Sequence, residues 1–253
     1  MATSNQTRNR SFRGGGAMYL REVGAASAGM FQVGNADTLQ FAIAEEKQTQ
    51  RNFMQPGGGN IASESSITDV TASINALSIN PRIAALALRA LITTTTGSLI
   101  SAESHTAFLD MFIPLNKMPD FDQALTVTDT GAVNTYVAGV DYLVRNNGIF
   151  IDPDGDIVDD SELLITYQSK DEYGIEAITK SSVEYEMFFD GFNEADEGKA
   201  VTVTCHRIAF SPASALSLIT EDFGALPMEF EVLADDSKDG TTESQYFVVR
   251  MEQ

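Results

Sequence analysis

The sequence has few of the side chains on which enzymes usually depend. Its 253 residues include one cysteine, Cys205, two histidines, His105 and His206, and no tryptophan. A single cysteine excludes an intrachain disulfide and a metal site with four thiolates. Cys205 and His206 are neighbours in a predicted strand, so their side chains point to opposite faces and cannot form a catalytic dyad. HExxH, GxSxG and CxxC motifs are all missing, and the sequence therefore predicts a protein that is not an enzyme and uses no cofactor.

Long apolar segments are missing as well. No run of 18 apolar residues occurs, so we expect no transmembrane helix. The first 16 residues contain arginines but no apolar stretch typical of a signal peptide, and we expect assembly in the cytosol. Hydrophobic residues still make up 43% of the chain, which is enough for a core. The length permits one large β domain or two small ones, and the sequence predicts a single domain over residues 18–253.

Basic residues are scarce and unevenly placed. The first 21 residues hold Arg8, Arg10, Arg13 and Arg21 and no acid, whereas the remaining 232 residues hold 12 basic and 36 acidic side chains. The sequence therefore predicts a flexible, polar N-terminal arm over residues 1–17, followed by a strongly acidic body. Arg8, Arg10 and Arg13 are candidates for ionic contacts with acidic residues of neighbouring subunits.

Apolar residues alternate with polar ones along several segments of the chain. The period of two is clear around residues 39–43, 183–189, 201–205 and 228–232, and it indicates half-buried strands. One helix is predicted over about 81–96, because Asn80 suits the N-cap, Pro81 the first turn, and the apolar residues that follow have helical spacing. About ten strands with one flanking helix predict a mainly β protein, an antiparallel sandwich or barrel.

Residues 48–62 interrupt this pattern and predict a long loop. The glycines at 57–59 permit left-handed backbone conformations, while Phe53 and Met54 supply apolar side chains that a plain linker would lack. A loop of this length within a compact domain is usually functional.

Acidic residues cluster in two patterns with different interpretations. Residues 152–156, Asp-Pro-Asp-Gly-Asp, begin like a calcium loop, but Ile157 and Leu163 occupy the positions that need glycine and an acid. A surface turn is the favoured interpretation, with weak, nonspecific cation binding left open. On two predicted strands, Glu184 with Glu186 and Glu229 with Glu231 place paired carboxylates on the polar face, where they repel one another. A solvated face and a functional acidic wall both explain these pairs.

Several segments resemble the tail tube protein, or major tail protein, of long flexible-tailed bacteriophages. The resemblance is diffuse and extends from about Met18 to Met251. It is carried by residues 18–24 (MYLREVG), 33–35 (VGN), 51–60 (RNFMQPGGGN), 81–91, 210–223 (FSPASALSLITEDF) and 228–233 (MEFEVL). Residues 120–170 fit it least and are interpreted as an elaboration.

The resemblance implies a fold of two packed antiparallel sheets and a structural role in the virion tail. Members of that family form hexameric rings that stack into a hollow tube, through which DNA passes without binding. The implied partners are other copies of the chain and the tape measure, tail tip and terminator proteins, with assembly in the host cytoplasm and no membrane insertion.

The resemblance also implies roles for particular residues. Residues 48–62 correspond to the loop that reaches the neighbouring ring, and the candidate contact residues are Arg51, Asn52, Phe53, Met54, Pro56, Gly57, Gly58, Gly59 and Asn60. The candidates for an acidic lining of the tube are Glu184, Glu186, Glu229 and Glu231. Two alternatives stay open: another virion component, such as a capsid decoration or neck protein, and a calcium-dependent adhesion module.

Overall fold

A computed structural model describes residues 11–25 and 27–253, and this part of the chain is mainly β, as predicted. Its sheets are antiparallel and the described residues contain one α-helix. The elements follow in the order β1 (Gly14–Glu22), β2 (Phe31–Gln32), β3 (Ala36–Arg51), β4 (Asn60–Ala76), α1 (Pro81–Ala87), β5 (Leu91–Thr95), β6 (Leu99–Thr106), β7 (Phe112–Pro114), β8 (Thr126–Asp129), β9 (Thr135–Tyr136), β10 (Tyr142–Arg145), β11 (Gly148–Ile151), β12 (Glu162–Gln168), β13 (Glu172–Glu176), β14 (Glu184–Asn193), β15 (Lys199–Phe210), β16 (Leu226–Val232) and β17 (Phe247–Met251).

The described chain divides into two compact units. The first unit contains the residues up to Leu91 together with Ile175–Gln253, and the second contains Ile92–Gly174. The sequence predicted one domain over residues 18–253, whereas the structure separates the second unit as an insertion with its own core. The predicted elaboration over residues 120–170 lies within this insertion.

The first unit is built on one eight-stranded sheet. Its strands follow the order β2-β1-β14-β15-β16-β4-β3, and β17 pairs with β15 beside this path. One face of the sheet forms the core, to which Leu20 of β1, Ile74 of β4 and Phe230 of β16 contribute. Helix α1 packs on the same core through Ile83, Leu86 and Ala87. The opposite face of the sheet carries the polar residues that alternate with these.

Helix α1 begins where the sequence predicted and ends earlier. The Asn80 side chain accepts a hydrogen bond from the Ile83 backbone N–H at 2.9 Å, and Pro81 occupies the first turn. The predicted helix over 81–96 is wrong beyond Ala87. Arg89 has a φ of 47°, which a helix cannot continue, and Leu91–Thr95 form β5, where the β-branched threonines favour an extended chain.

The second unit is a small arrangement of two sheets around a separate core. One sheet has the order β10-β11-β7 and the other β6-β12-β8-β9. Ile149 and Ile151 from the first sheet and Leu163 and Ile165 from the second belong to the same buried cluster. The Asn-Asn-Gly sequence at residues 146–148, which is typical of a tight turn, connects β10 and β11, and Arg145 pairs directly with Gly148.

The N-terminal strand begins inside the predicted arm. Gly14 pairs with Asn193 and Ala17 with Asp190, so residues 14–17 belong to the sheet rather than to a flexible arm over 1–17. A side chain at Gly16 would collide with the Asp190 backbone oxygen, so glycine allows the close pairing here. Arg8 and Arg10 lie outside the described residues. Arg13 forms an exposed ion pair with Glu194 of its own chain at 3.0 Å, and its contact with a neighbouring subunit stays a prediction.

Candidate functional site: a hairpin arm and an acidic sheet face

Strands β3 and β4 form a long hairpin that the sequence did not predict. Their pairing runs from Ala36↔Ala76 to Arg51↔Asn60, so the predicted loop over 48–62 shortens to residues 52–59. The prediction failed because Ile61 and Ile67 are the only large apolar residues of segments 44–51 and 60–69, and these segments show no alternation of apolar residues. Backbone hydrogen bonds, which leave no pattern in the sequence, define the strands here.

The outer half of this hairpin, residues 44–69, is called the hairpin arm below. Strand β16 pairs with β4 only from Thr71 to Ala76, so the arm continues beyond the sheet as two strands alone. Every strand residue of the arm is exposed to solvent. At about 3.3 Å per residue the arm extends about 25 Å past the last buried residue. An isolated two-stranded hairpin is only marginally stable in water, so the arm is suited to lie against a partner.

Two β-bulges interrupt the regular pairing of the arm. The register shifts between Ala44 and Glu45 and again between Gln50 and Arg51, which leaves Thr68 and Ile61 of β4 without opposite residues. At the first bulge, the Thr68 hydroxyl donates a hydrogen bond to the Ala44 carbonyl at 3.3 Å. The bulges therefore bend and twist the arm at two defined places.

The tip of the arm, residues 51–60, is an ordered turn that presents apolar side chains to solvent. The Asn52 N–H donates to the Gly59 carbonyl at 2.8 Å, and the Met54 N–H donates to the Asn52 side chain at 2.9 Å. The Phe53 and Met54 side chains are 85% and 81% exposed. The Arg51 guanidinium lies 5.9 Å from the centre of the Phe53 ring. The tip thus combines two apolar anchors with one positive charge.

The sheet of the first unit has open edges at both ends. Strand β3 stands at one end of the strand order and β2 at the other. Among the described residues, the two residues of β2 pair with Tyr19 and Leu20 of β1, and the neighbouring Val33 N–H donates to the Met18 carbonyl at 2.9 Å. Unpaired backbone groups on an edge strand are a template for pairing with a further chain. Both ends of this sheet therefore offer backbone hydrogen bonds to another strand.

The structure separates the four predicted wall carboxylates into two kinds. Glu184 receives hydrogen bonds from the Arg207 guanidinium at 2.8, 2.9 and 3.0 Å, and Glu186 pairs with Arg21, whose Nε donates at 3.2 Å. Arg207 lies at a bulge in β15, where the register shifts opposite Tyr185 and Met187. The two β14 carboxylates are therefore largely neutralised, and the predicted repulsion between them is relieved by arginines from β1 and β15.

Glu229 and Glu231 keep the arrangement that the sequence predicted. Along β16 the buried and exposed residues alternate without interruption, with Met228 and Phe230 in the core and both glutamates exposed. Their cross-strand neighbours are neutral: Ser73 lies opposite Glu229, and Thr71 and Ala209 lie opposite Glu231. Within the described residues neither carboxylate forms an ion pair. The sheet face is thus negative at β16 and mixed at β14.

Cys205 and the acidic residues 152–156 are the other sequence candidates for a chemical role. Cys205 is buried in the core of the first unit, and this burial raises the pKa of its thiol to about 12. Residues 152–156 form a surface turn, and the described residues contain no group of three or more His, Cys, Asp or Glu side chains that could hold a metal ion. Within residues 11–25 and 27–253, no helix is long and apolar enough to cross a membrane.

One exposed apolar segment escaped the sequence analysis as a candidate site. Residues 211–225 connect β15 and β16 without regular secondary structure, and Leu218, Ile219 and Phe223 are almost fully exposed. The available signal was the group of large apolar residues between Pro212 and Gly224, where a connecting loop is normally polar.

A search of curated proteins found no match to the chain. Residues 11–250 match the model of a family described as Protein of unknown function UCP028589. This match includes both compact units and almost every described residue. The chain therefore belongs to this family.

Proposed function

We propose that the protein is a structural virion protein that assembles with copies of itself into stacked hexameric rings, forming the tail tube of a long-tailed bacteriophage. The observation that carries this proposal is the hairpin arm, two strands that extend from the sheet with every strand residue exposed. The diffuse sequence resemblance to tail tube proteins supplies the identity of the assembly.

The arm has a construction that favours a partner. Strands that are exposed on both faces bury no apolar surface, so packing against the first unit does not offset the entropy lost in ordering them. Contact with a neighbouring copy supplies that packing. Phe53 and Met54 at the tip are suited to be the anchors of such a contact, because large exposed side chains carry much of the energy of protein interfaces.

The open edges of the sheet are a separate argument that neighbouring copies close into a ring. A strand of one copy that pairs with an edge of the next continues the sheet across the boundary between subunits. Each copy offers β3 at one end of its sheet and the β1–β2 edge at the other. A head-to-tail contact between these two edges repeats around a ring and leaves neither of them exposed when the ring closes.

A negative sheet face suits a conduit for DNA. Each lysine or arginine that meets a phosphate adds affinity through counterion release, and a tube that releases DNA must avoid such contacts. Glu229 and Glu231 present uncompensated charge, and their repulsion of phosphates acts over about 10 Å at 0.1 M salt. The tape measure, tail tip and terminator proteins complete the proposed set of partners, with assembly in the host cytoplasm.

Electron microscopy of the purified protein tests the proposal. At raised concentration, or with a tail-tip template, we expect tubes of uniform diameter built from six-fold rings. A variant in which Asn-Gly replaces residues 52–59 retains a favourable two-residue hairpin turn between Arg51 and Asn60. We expect it to fold as the parent does but to form no stacked tubes.

A matched control removes exposed apolar side chains elsewhere. Val133→Ala with Ile178→Ala changes two side chains that are as exposed as Phe53 and Met54, and we expect normal tubes. A parent protein that stays monomeric with every template overturns the proposal. Binding to capsids without polymerisation would favour the alternative of a decoration protein.

A further inference from the structure

The loop between β15 and β16, residues 211–225, is an unusual surface for a protein in water. Leu218 is 84% exposed and Ile219 is 97% exposed, with Phe223 completely exposed beside them. Contiguous large apolar side chains on a surface usually mark a site of interaction. The loop contains Glu221 and Asp222 and no basic residue, so its apolar group has a negative border.

The loop lies at the opposite end of the hairpin from the tip. Strand β15 ends at Phe210, which pairs with Phe230, and β16 begins at Leu226, opposite Ala76. Ala76 is the last residue of β4, whereas Asn60 at the tip is the first. The loop is also fixed to this end through the Ala213 N–H, which donates to the Ala87 carbonyl at 2.7 Å. About 50 Å of strand separates the loop from the tip of the same hairpin.

The two ends of the hairpin are complementary in chemistry. The tip presents Phe53 and Met54 with Arg51 as its one charged residue, and no acid occurs in residues 51–60. The loop presents Ile219 and Phe223 beside two carboxylates. Exposed apolar side chains with opposite charges beside them therefore lie toward opposite ends of β4.

We propose that the loop at residues 211–225 of one copy is the receptor for the hairpin tip, residues 51–60, of the next copy. Because the tip and the loop lie toward opposite ends of β4, the contact is head-to-tail and propagates along the strand direction instead of closing a dimer. This inference rests on the proposed self-assembly and assigns the surface that receives the arm. It also gives Glu221 and Asp222 a role as partners of Arg51.

Disulfide crosslinking tests the contact directly. The native Cys205 is buried and its thiol pKa is raised, so introduced cysteines are the reactive thiols under mild oxidation. A mixture of Met54→Cys and Ile219→Cys chains is expected to give a covalent dimer. The chain with both substitutions is expected to give a ladder of covalent oligomers on a denaturing, non-reducing gel.

Matched controls separate this contact from random collision. Ile178→Cys places a thiol at a residue that is as exposed as Leu218, and mixing it with Met54→Cys is expected to give no dimer. Thermal melts of all cysteine variants are compared with the parent to confirm folding. If tubes form without any crosslink between residues 54 and 219, the proposed contact between tip and loop is wrong, whereas the proposed tube is not contradicted. A protein that neither crosslinks nor polymerises overturns both.

Charge reversal provides a second, independent readout. Arg51→Glu is expected to raise the concentration needed for polymerisation at least tenfold at low salt. Adding Glu221→Arg and Asp222→Arg to the same chain is expected to return this concentration to that of the parent, because the tip is then negative and the loop positive. If the combined variant does not polymerise at the concentration of the parent and the crosslink between residues 54 and 219 also fails, the proposed contact between tip and loop is wrong.

Discussion

At the scale of single residues, Glu103 in the second unit shows how a buried carboxylate is stabilised. Its side chain is 8% exposed and accepts hydrogen bonds from the Tyr167 hydroxyl at 2.7 Å, from the Asn116 N–H at 3.0 Å and from the His105 ring at 2.7 Å. Burial acts to raise its pKa, but the three hydrogen bonds together lower the pKa below its ordinary value. Burial and the bond to Glu103 raise the pKa of Tyr167 to about 12. The sequence analysis did not predict this network, because Asn116 and Tyr167 lie 13 and 64 residues from Glu103 along the chain.

Substitution of Glu103 by glutamine is expected to destabilise the protein by about 1–3 kcal/mol, because a hydrogen-bonded buried group is replaced by a poorer acceptor. A carboxylate with a lowered pKa in the folded state contributes stability above its unfolded pKa, near 4.5, and loses it as the pH falls through the folded value. Calorimetry at pH 7 and at lower pH is therefore expected to show a smaller acid-induced loss in Glu103→Gln than in the parent. Glu162→Gln, at an exposed residue, serves as the control, and equal acid dependence in the parent and Glu103→Gln would contradict the role of the network.

At the scale of elements, the sequence predicted those strands that have one buried face. The alternation in β16, the turn between β10 and β11 and the start of α1 were all visible in the pattern of side chains. The hairpin arm was missed because its strands bury neither face, so their apolar residues show no alternation. The charge pairing at β14 was missed because Arg21 and Arg207 reach Glu186 and Glu184 from other strands.

The two pairs of glutamates are therefore expected to respond differently to charge reversal. Glu229→Lys with Glu231→Lys changes exposed residues with neutral cross-strand neighbours, and the free energy of unfolding should change by less than about 0.5 kcal/mol. Glu184→Lys with Glu186→Lys breaks two ion pairs and places lysines beside Arg207 and Arg21, which is expected to cost about 1 kcal/mol or more. Urea unfolding of both variants measures the difference. If both variants had the same free energy of unfolding, the ion pairs of Glu184 and Glu186 would not contribute to stability.

At the scale of the whole molecule, the second unit is inserted into the first between α1 and β14. The chain leaves through β5 and returns through β13, which pair as a two-stranded sheet. Within the first unit, Leu88 accepts a hydrogen bond from the Ile178 N–H and Arg89 from the Lys180 N–H, both at 3.0 Å. The points of departure and return are thus held close together. The insertion contains 14 acidic and 3 basic residues, so it is more acidic than the chain as a whole.

Replacing residues 92–174 by a short glycine-serine linker is expected to leave the first unit folded, because each unit has its own buried core. Circular dichroism and a cooperative thermal melt measure the fold of the shortened chain. Since the hairpin arm and the loop at 211–225 are both retained, its polymerisation in the electron microscope is expected to match that of the parent. An unfolded product would show that the first unit depends on the insertion.

The two β-bulges of the arm have a consequence for spacing. Polar strands without a buried face can slide past one another by two residues at little cost. The unmatched Thr68 and Ile61 oppose such slippage, because a sliding pair would have to move both bulges at once. The distance from the sheet to the tip therefore depends on the register that the two bulges hold, and this distance is the same in every copy of the chain. In the proposed tube, rings joined through the arm would repeat at a constant axial distance, whatever the number of rings.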